Sequence, residues 1–211
     1  MEYIAQHTTI PVPRVRDVFK TGKFTWIEMD YINGLPLLDV WPTLTQAERT
    51  SCIRQLKGYV DQLRALPPPH PQRVQAVDGG SSFDLRLLST AWGPFDSIAA
   101  FNQCMGHEFA LRRHPELQSM FDRVAGRHWR IVFAHGDLSP QNILWRDGRI
   151  VGIIDWSYSG WFPEYWEYTR TWLGTRGAGE SFWEMFRDSV DAYPDELEIE
   201  QCLGQVLNHD P

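Results

Sequence analysis

Hydrophobic positions recur along this 211-residue chain with two periods. After a Pro11-Val12-Pro13 break, β-rich runs at Arg14–Phe19 and Phe24–Ile32 flank Lys20-Thr21-Gly22-Lys23, which predicts a hairpin. The pattern then becomes helical. Thr45-Gln46-Ala47-Glu48 has the spacing of a capping box, and Ile53, Leu56, Val60, Leu63 and Leu66 follow at three- and four-residue steps. Pro67-Pro68-Pro69 ends that helix, and the polar, Gly/Pro-rich stretch from His70 to Ser82 reads as a surface loop. Asp96 and Pro115 open two further helices, with Phe101, Met105 and Phe109 on one apolar face and Leu117, Phe121 and Val124 on the other. Ile131–Ala134 is a short buried strand. Ile143–Arg146 and Arg149–Ile154 alternate around Asp147-Gly148, a strong hairpin signal.

With 43% hydrophobic and 22% charged residues, the chain can bury a core as one domain or two small lobes. Its wholly apolar runs, such as Ile131–Ala134, fall far short of the roughly 18 residues a membrane span needs. The N-terminal segment Met1–His7 lacks the basic start and apolar stretch of a secretory signal, so a cytoplasmic location is expected. Cys52, Cys104 and Cys202 form no Cys-x-x-Cys pair and read as buried thiols. The net charge of −7 is uneven. From Glu180 onward there are nine acids and one base, Arg187. Such a tail suits a cationic small-molecule partner, but solvated helix faces are the readier explanation. No basic stripe of the kind that binds nucleic acid is present.

The chemistry gathers around the second hairpin. If its turn centres on residues 147 and 148, Asn142 lies opposite Ile153 and Asp155 is the next residue on that face. Diagonal neighbours of this kind lie about 7–8 Å apart. With Asp137 on the preceding loop, the spacing predicts a site of Asp137, Asn142 and Asp155. A carboxylate and an amide oxygen suit a hard cation such as Mg2+, and a loop Asp is placed to accept or orient a hydroxyl proton. That is the division of labour in phosphoryl transfer. Between Trp156 and Trp172 stand eight aromatics, which either pack the core or line a pocket. Glu164 and Glu167 either attract an amine or face solvent.

The run His135-Gly136-Asp137-Leu138-Ser139-Pro140-Gln141-Asn142-Ile143-Leu144, followed by Ile153-Ile154-Asp155-Trp156, resembles the aminoglycoside phosphotransferase family of the protein-kinase-like superfamily. Similarity extends to Ile10–Val15, to Met29-Asp30-Tyr31-Ile32-Asn33-Gly34, which resembles the family's hinge, and to Trp161–Glu167. The resemblance implies an α+β, kinase-like fold. In it, residues 1–33 are a remnant of the β-rich N-terminal lobe and its hinge, and residues 34–211 form a mainly helical lobe with a catalytic β-hairpin. It implies that Asp137 is the catalytic base, that His135 organises its loop, and that Asn142 and Asp155 hold Mg2+. Met29, Asp30 and Tyr31 would meet the adenine of ATP through backbone groups, with Leu144 and Ile154 beneath the ring; a core role for those two is as readily defended. The implied activity is ATP- and Mg2+-dependent phosphorylation of a small-molecule hydroxyl. The family's phosphate loop, strand lysine and partner glutamate have no counterpart among Lys20, Lys23 and Lys57, the three lysines here. The chain therefore reads as an N-terminally truncated member, and a catalytically impaired, pseudokinase-like binding protein is the alternative.

Overall fold

A computed structural model describes residues 1–84, 90–175 and 180–209. The chain opens with α1 (Glu2–His7). Antiparallel strands β1 (Val15–Thr21) and β2 (Phe24–Met29) follow, joined through Gly22 and Lys23. The predicted hairpin is thus present, with β2 ending at Met29 rather than Ile32. It forms a two-stranded sheet of its own, and Val18, Phe19, Phe24, Trp26 and Ile27 are exposed on its two faces.

Next come β3 (Leu35–Pro36), α2 (Leu37–Val40) and the long α3 (Gln46–Ala65). Both halves of the capping box form: Glu48 N–H donates to Thr45 Oγ1 at 3.3 Å, and Thr45 N–H donates to Glu48 Oε2 at 2.8 Å. The apolar stripe Cys52, Ile53, Leu56, Val60 and Leu63 is buried. Burial pushes the Cys52 thiol up to about 12, as expected of a packing residue. Cys104 and Cys202 are only partly buried, unlike the expectation.

The stretch read as a loop contains β4 (Gln75–Ala76), which pairs with a later strand through Gln75↔Trp161 and Ala76↔Gly160. The sequence hides this because the strand is two residues long and one of them, Gln75, is a buried polar residue. The apolar run through Phe101, Met105 and Phe109 is also two helices rather than one, α4 (Ile98–Cys104) and α5 (His107–Arg113). Between them Gly106 takes φ +89, a left-handed conformation that stops a helix. The break turns Phe109 outward, where it is 45% exposed, while Phe101 stays buried. Ser97 rather than Asp96 caps α4. Pro115 starts a 3-10 turn that leads into α6 (Gln118–Asp122).

Buried strand β5 (Ile131–Ala134) is where the sequence places it. After it come β6 (Ile143–Arg146), β7 (Arg149–Ile153) and β8 (Gly160–Pro163), then α7 (Trp166–Gly174), α8 (Glu180–Arg187) and α9 (Pro194–His209). Two antiparallel three-stranded sheets result, in the orders β3-β6-β7 and β4-β8-β5. One core joins them to α3 and α7, and it includes Ile4 and Ile10 from the N-terminal segment. Trp161, Phe162, Tyr165, Trp166 and Tyr168 are all buried in it, which settles those aromatics as core. Among the described residues no helix is long and apolar enough to cross a membrane.

The acidic tail is largely paired. Asp195 accepts from Arg123 at 2.9 Å, Glu196 accepts from Arg127 at 2.9 Å, and Glu198 and Glu200 pair with Arg123 and Arg170. These contacts tie α9 to the rest of the helical body, so much of its charge is neutralised locally.

Candidate active site

The candidate site lies where β5 ends and the β6–β7 hairpin begins. Asp147 and Gly148 both take positive φ, as a two-residue hairpin turn requires. The register departs from the expectation by one residue. Arg146 pairs with Arg149 and Trp145 with Ile150, but Leu144 pairs with Gly152, leaving Val151 as a bulge. Val151 packs against Gly34 so closely that a Cβ there would lie 2.6 Å from its Cγ2. As a result Asn142 faces Ile154, whose N–H donates to the Asn142 carbonyl at 2.9 Å. Asp155 therefore follows immediately after the residue opposite Asn142.

His135-Gly136-Asp137 leaves β5 as a buried loop held from three sides. His135 is fully buried, and its Nδ1 accepts the Asp137 N–H at 3.2 Å. The ring proton is then on Nε2, which donates to the Ile154 carbonyl at 3.0 Å. This one imidazole links the loop to the strand end that carries Asp155. Gly136 takes φ +78, and a Cβ at that position would sit 2.5 Å from the Tyr158 carbonyl oxygen. Only glycine fits so close an approach in that conformation.

The third support is Glu167. This residue of α7 is 6% exposed, and its two carboxylate oxygens accept the backbone N–H groups of His135 and Gly136, the latter at 3.2 Å. Two buried donors are thereby satisfied by one ionisable group. Glu167 is thus neither solvated nor turned toward a ligand. Glu164 is also engaged, pairing with Arg64 at 3.2 Å and Arg130 at 2.9 Å.

Asp137 and Asn142 meet directly. Asn142 Nδ2 donates to Asp137 Oδ2 and to the Asp137 carbonyl, each at 2.9 Å. This fixes the Asp137 carboxylate and leaves the Asn142 Oδ1 out of that contact. Asp155 is exposed, takes φ +58, and accepts the Ser157 hydroxyl on Oδ1 at 2.6 Å. Positive φ is uncommon for a side-chain-bearing residue and raises interest in what the residue does.

Leu144 is buried opposite Gly152, and Ile154 is half-buried beside Asn142. Of the three hinge-like residues, Met29 and Tyr31 are exposed. The Asp30 N–H already donates to the Arg14 carbonyl at 2.9 Å and the Asp30 side chain pairs with Arg16. Any backbone contact to a ligand there falls to other amides and carbonyls of the segment.

Two supporting residues escaped the sequence. Glu167 carries a faint signal, an acid inside the aromatic run Tyr165-Trp166-Glu167-Tyr168. Gly174, which ends α7, carries none. A Cβ on it would lie 2.8 Å from Ser139 Cβ and 3.2 Å from Asp137 Oδ1, so this helix end is in contact with the Asp137 loop.

A family model described as the phosphotransferase enzyme family matches residues 1–199. An aminoglycoside 3'-phosphotransferase of Streptomyces fradiae is 24% identical over 157 residues, 74% of this chain and 54% of that protein. The chain thus spans about half the length of that curated relative. Among solved structures, a thermostable mutant of aminoglycoside phosphotransferase APH(4)-Ia in ternary complex with ADP and hygromycin B superimposes with a TM-score of 0.62. It is 16% identical, with 96% of this chain and 70% of that one covered. The GDP complex of aminoglycoside 2'-phosphotransferase-IIIa gives a TM-score of 0.63 at 14% identity, covering 98% of this chain and 69% of that one. At these identities the likeness is one of fold.

Proposed function

The chain belongs to the phosphotransferase enzyme family, of aminoglycoside-phosphotransferase type within the protein-kinase-like superfamily, and from that premise we propose that it transfers the γ-phosphate of ATP to a small-molecule hydroxyl. The observation that carries this reading is the Asp137 carboxylate. It is held by Asn142 on a loop whose backbone is clamped by Glu167 and His135, a rigid mount for a group that must align a nucleophile. In the reaction Asp137 orients the acceptor hydroxyl and takes its proton as that oxygen bonds to the γ-phosphorus and the bond from the γ-phosphorus to ADP breaks, ADP leaving.

Asn142 Oδ1 and the Asp155 carboxylate are oxygen donors at one end of one hairpin, and they fit Mg2+, which prefers such ligands and completes its shell with water and phosphate oxygens. When bound, the ion would neutralise phosphate charge during transfer. Asn142 would serve two groups through opposite ends of its amide. His135 positions the loop without touching substrate. Leu144 and Ile154 are proposed as the apolar floor for adenine, and Met29, Asp30 and Tyr31 as the segment along its edge. The division into a hinge-side part, residues 1–33, and a substrate-side part, residues 34–211, belongs to the same proposal; Ile4 and Ile10 anchor the first into the core of the second.

The acceptor class follows the relatives, of which two are described with hygromycin B or kanamycin. We therefore take an amine-bearing polyol as the acceptor and the cytoplasm, where ATP is available, as the place of reaction. The test is phosphate transfer from radiolabelled ATP to a panel of such acceptors in Mg2+. Asp137→Ala should abolish transfer while nucleotide binding survives. Transfer that persists in Asp137→Ala removes Asp137 as the base, and binding of nucleotide without transfer to any acceptor supports the non-catalytic, pseudokinase-like role instead.

A further inference from the structure

The β1–β2 hairpin is a two-stranded sheet of its own, and every residue of β2 is exposed, Phe24 at 60% and Trp26 at 54%. A lone hairpin is marginal in water, and three or more strands with an apolar face give independent stability. The ladder shows which backbone groups are left over. Gly22, at φ +60, and Lys23 form the two-residue turn that closes on the pair Thr21↔Phe24. Bonded and non-bonded pairs alternate from there. Phe19↔Trp26 is therefore hydrogen-bonded, whereas Lys20↔Thr25 and Val18↔Ile27 turn their N–H and C=O groups outward. The Val18 N–H fits this alternation, since it donates to the Asp17 side chain instead of to β2.

The two outer edges differ. That of β1 is blunted in the ways folded proteins protect an edge. Its register slips between Val15 and Asp17, Asp17 Oδ1 accepts the outward Val18 N–H at 2.8 Å, and Lys20 takes the other outward position. That of β2 offers the N–H and C=O groups of Thr25 and Ile27, with no charged residue from Phe24 to Ile27. Such an edge is a template for a further strand.

The strand it fits is its own copy. Laid antiparallel about a two-fold axis at Trp26, β2 sets Thr25 opposite Ile27 of a second copy and Ile27 opposite that copy's Thr25. All the outward groups of both strands then meet as hydrogen-bonded pairs. Trp26 faces Trp26 in the closer, non-bonded pair, Phe24 faces Glu28 and Lys23 faces Met29, so no like charges are opposed. Because Phe19 is opposite Trp26 within each chain, one face of the joined sheet carries a row of four aromatics. We propose that β2 pairs with β2 of a second copy of this chain, giving a two-fold dimer built on a four-stranded antiparallel sheet in the order β1-β2-β2-β1. None of Phe19, Thr25, Trp26 or Ile27 is among the proposed catalytic or metal-binding residues, so the dimer stands or falls apart from the activity.

The test is sedimentation velocity of the purified chain across micromolar concentrations, with amide hydrogen exchange at Thr25 and Ile27 followed by NMR. We expect a species of twice the chain mass, and protection of those two amides that fades on dilution while the Lys20 amide exchanges rapidly throughout. Thr25→Pro removes an outward donor and leaves the ladder to β1 intact, so it should raise the dimer dissociation constant roughly tenfold or more. Trp26→Lys, which opposes two like charges across the axis, should act in the same direction. Lys20→Pro, the matching change on the edge of β1, should leave the constant unaltered. A dimer that ignores Thr25→Pro and Trp26→Lys, or one weakened equally by Lys20→Pro, would overturn the proposal. So would a monomer at every concentration, including one whose Thr25 and Ile27 amides are protected only by an added extended peptide, which would give the edge to a foreign strand. The concentration dependence of the native chain decides the matter even if a variant does not fold.

Discussion

Replacing Glu167 by alanine should loosen the whole loop from His135 to Asp137, and the geometry sets the size of the effect. The carboxylate accepts two backbone N–H groups, those of His135 and Gly136, and His135 is fully buried. Alanine reaches neither donor. Leaving a buried donor unsatisfied costs about 1–3 kcal/mol, so two amount to roughly 2–6 kcal/mol. For a chain of this size each kcal/mol lowers Tm by about 2–4 °C, which gives a fall on the order of 5–20 °C. Glu167→Gln keeps one carbonyl oxygen but turns an NH2 toward the other donor, so about half the loss should remain. Differential scanning calorimetry of the three proteins reads this directly. If Glu167→Ala melts within about 1 °C of the parent, the carboxylate is not what holds the loop, and the account of how Asp137 is positioned fails with it.

Other consequences follow from the same geometry. Gly174→Ala puts a methyl group 2.8 Å from Ser139 Cβ and 3.2 Å from Asp137 Oδ1; if the loop yields by even part of an ångström, turnover should fall by roughly 10- to 100-fold with little change in nucleotide affinity, as steady-state kinetics would show. The pH dependence of stability should carry a His107 component. Its pKa is depressed to about 4 in the folded chain, so between pH 6.5 and 4 the unfolded state binds more protons and stability falls as pH falls. Urea midpoints at pH 7 and pH 5 should differ less in His107→Phe than in the native chain, and an equal difference would remove His107 from the explanation.

The two hairpins, the capping box and strand β5 were legible because each rests on local chemistry: turn dipeptides, a Thr-x-x-Glu pair, an unbroken apolar run. What the sequence concealed depends on contacts between distant residues. The Val151 bulge arises from packing against Gly34, over a hundred residues earlier, and it moves the partner of Asn142 from Ile153 to Ile154. The turn at Gly106 divides an apolar pattern that reads as one helix and leaves Phe109 outside. For the site, Asp137 and Asn142 were predicted together and are hydrogen-bonded. Glu167 was misread because nothing local tells a carboxylate that accepts buried amides from one that faces water. The acidic tail was misread similarly, since the arginines that pair with its α9 carboxylates lie between residues 123 and 170.

The central claim is that Asn142 and Asp155 form a Mg2+-dependent nucleotide site beside Asp137, and thermal unfolding with and without Mg2+ plus ATP tests it most directly. A ligand at about 100 times its Kd stabilises the native state by roughly 2.7 kcal/mol, a rise of about 5–10 °C for a chain of this length. The account predicts that rise for the native chain and for Asp137→Ala, its dependence on Mg2+, and its loss in Asp155→Ala. A cooperative transition that does not move with Mg2+ and ATP, or one that moves equally in Asp155→Ala, would contradict it.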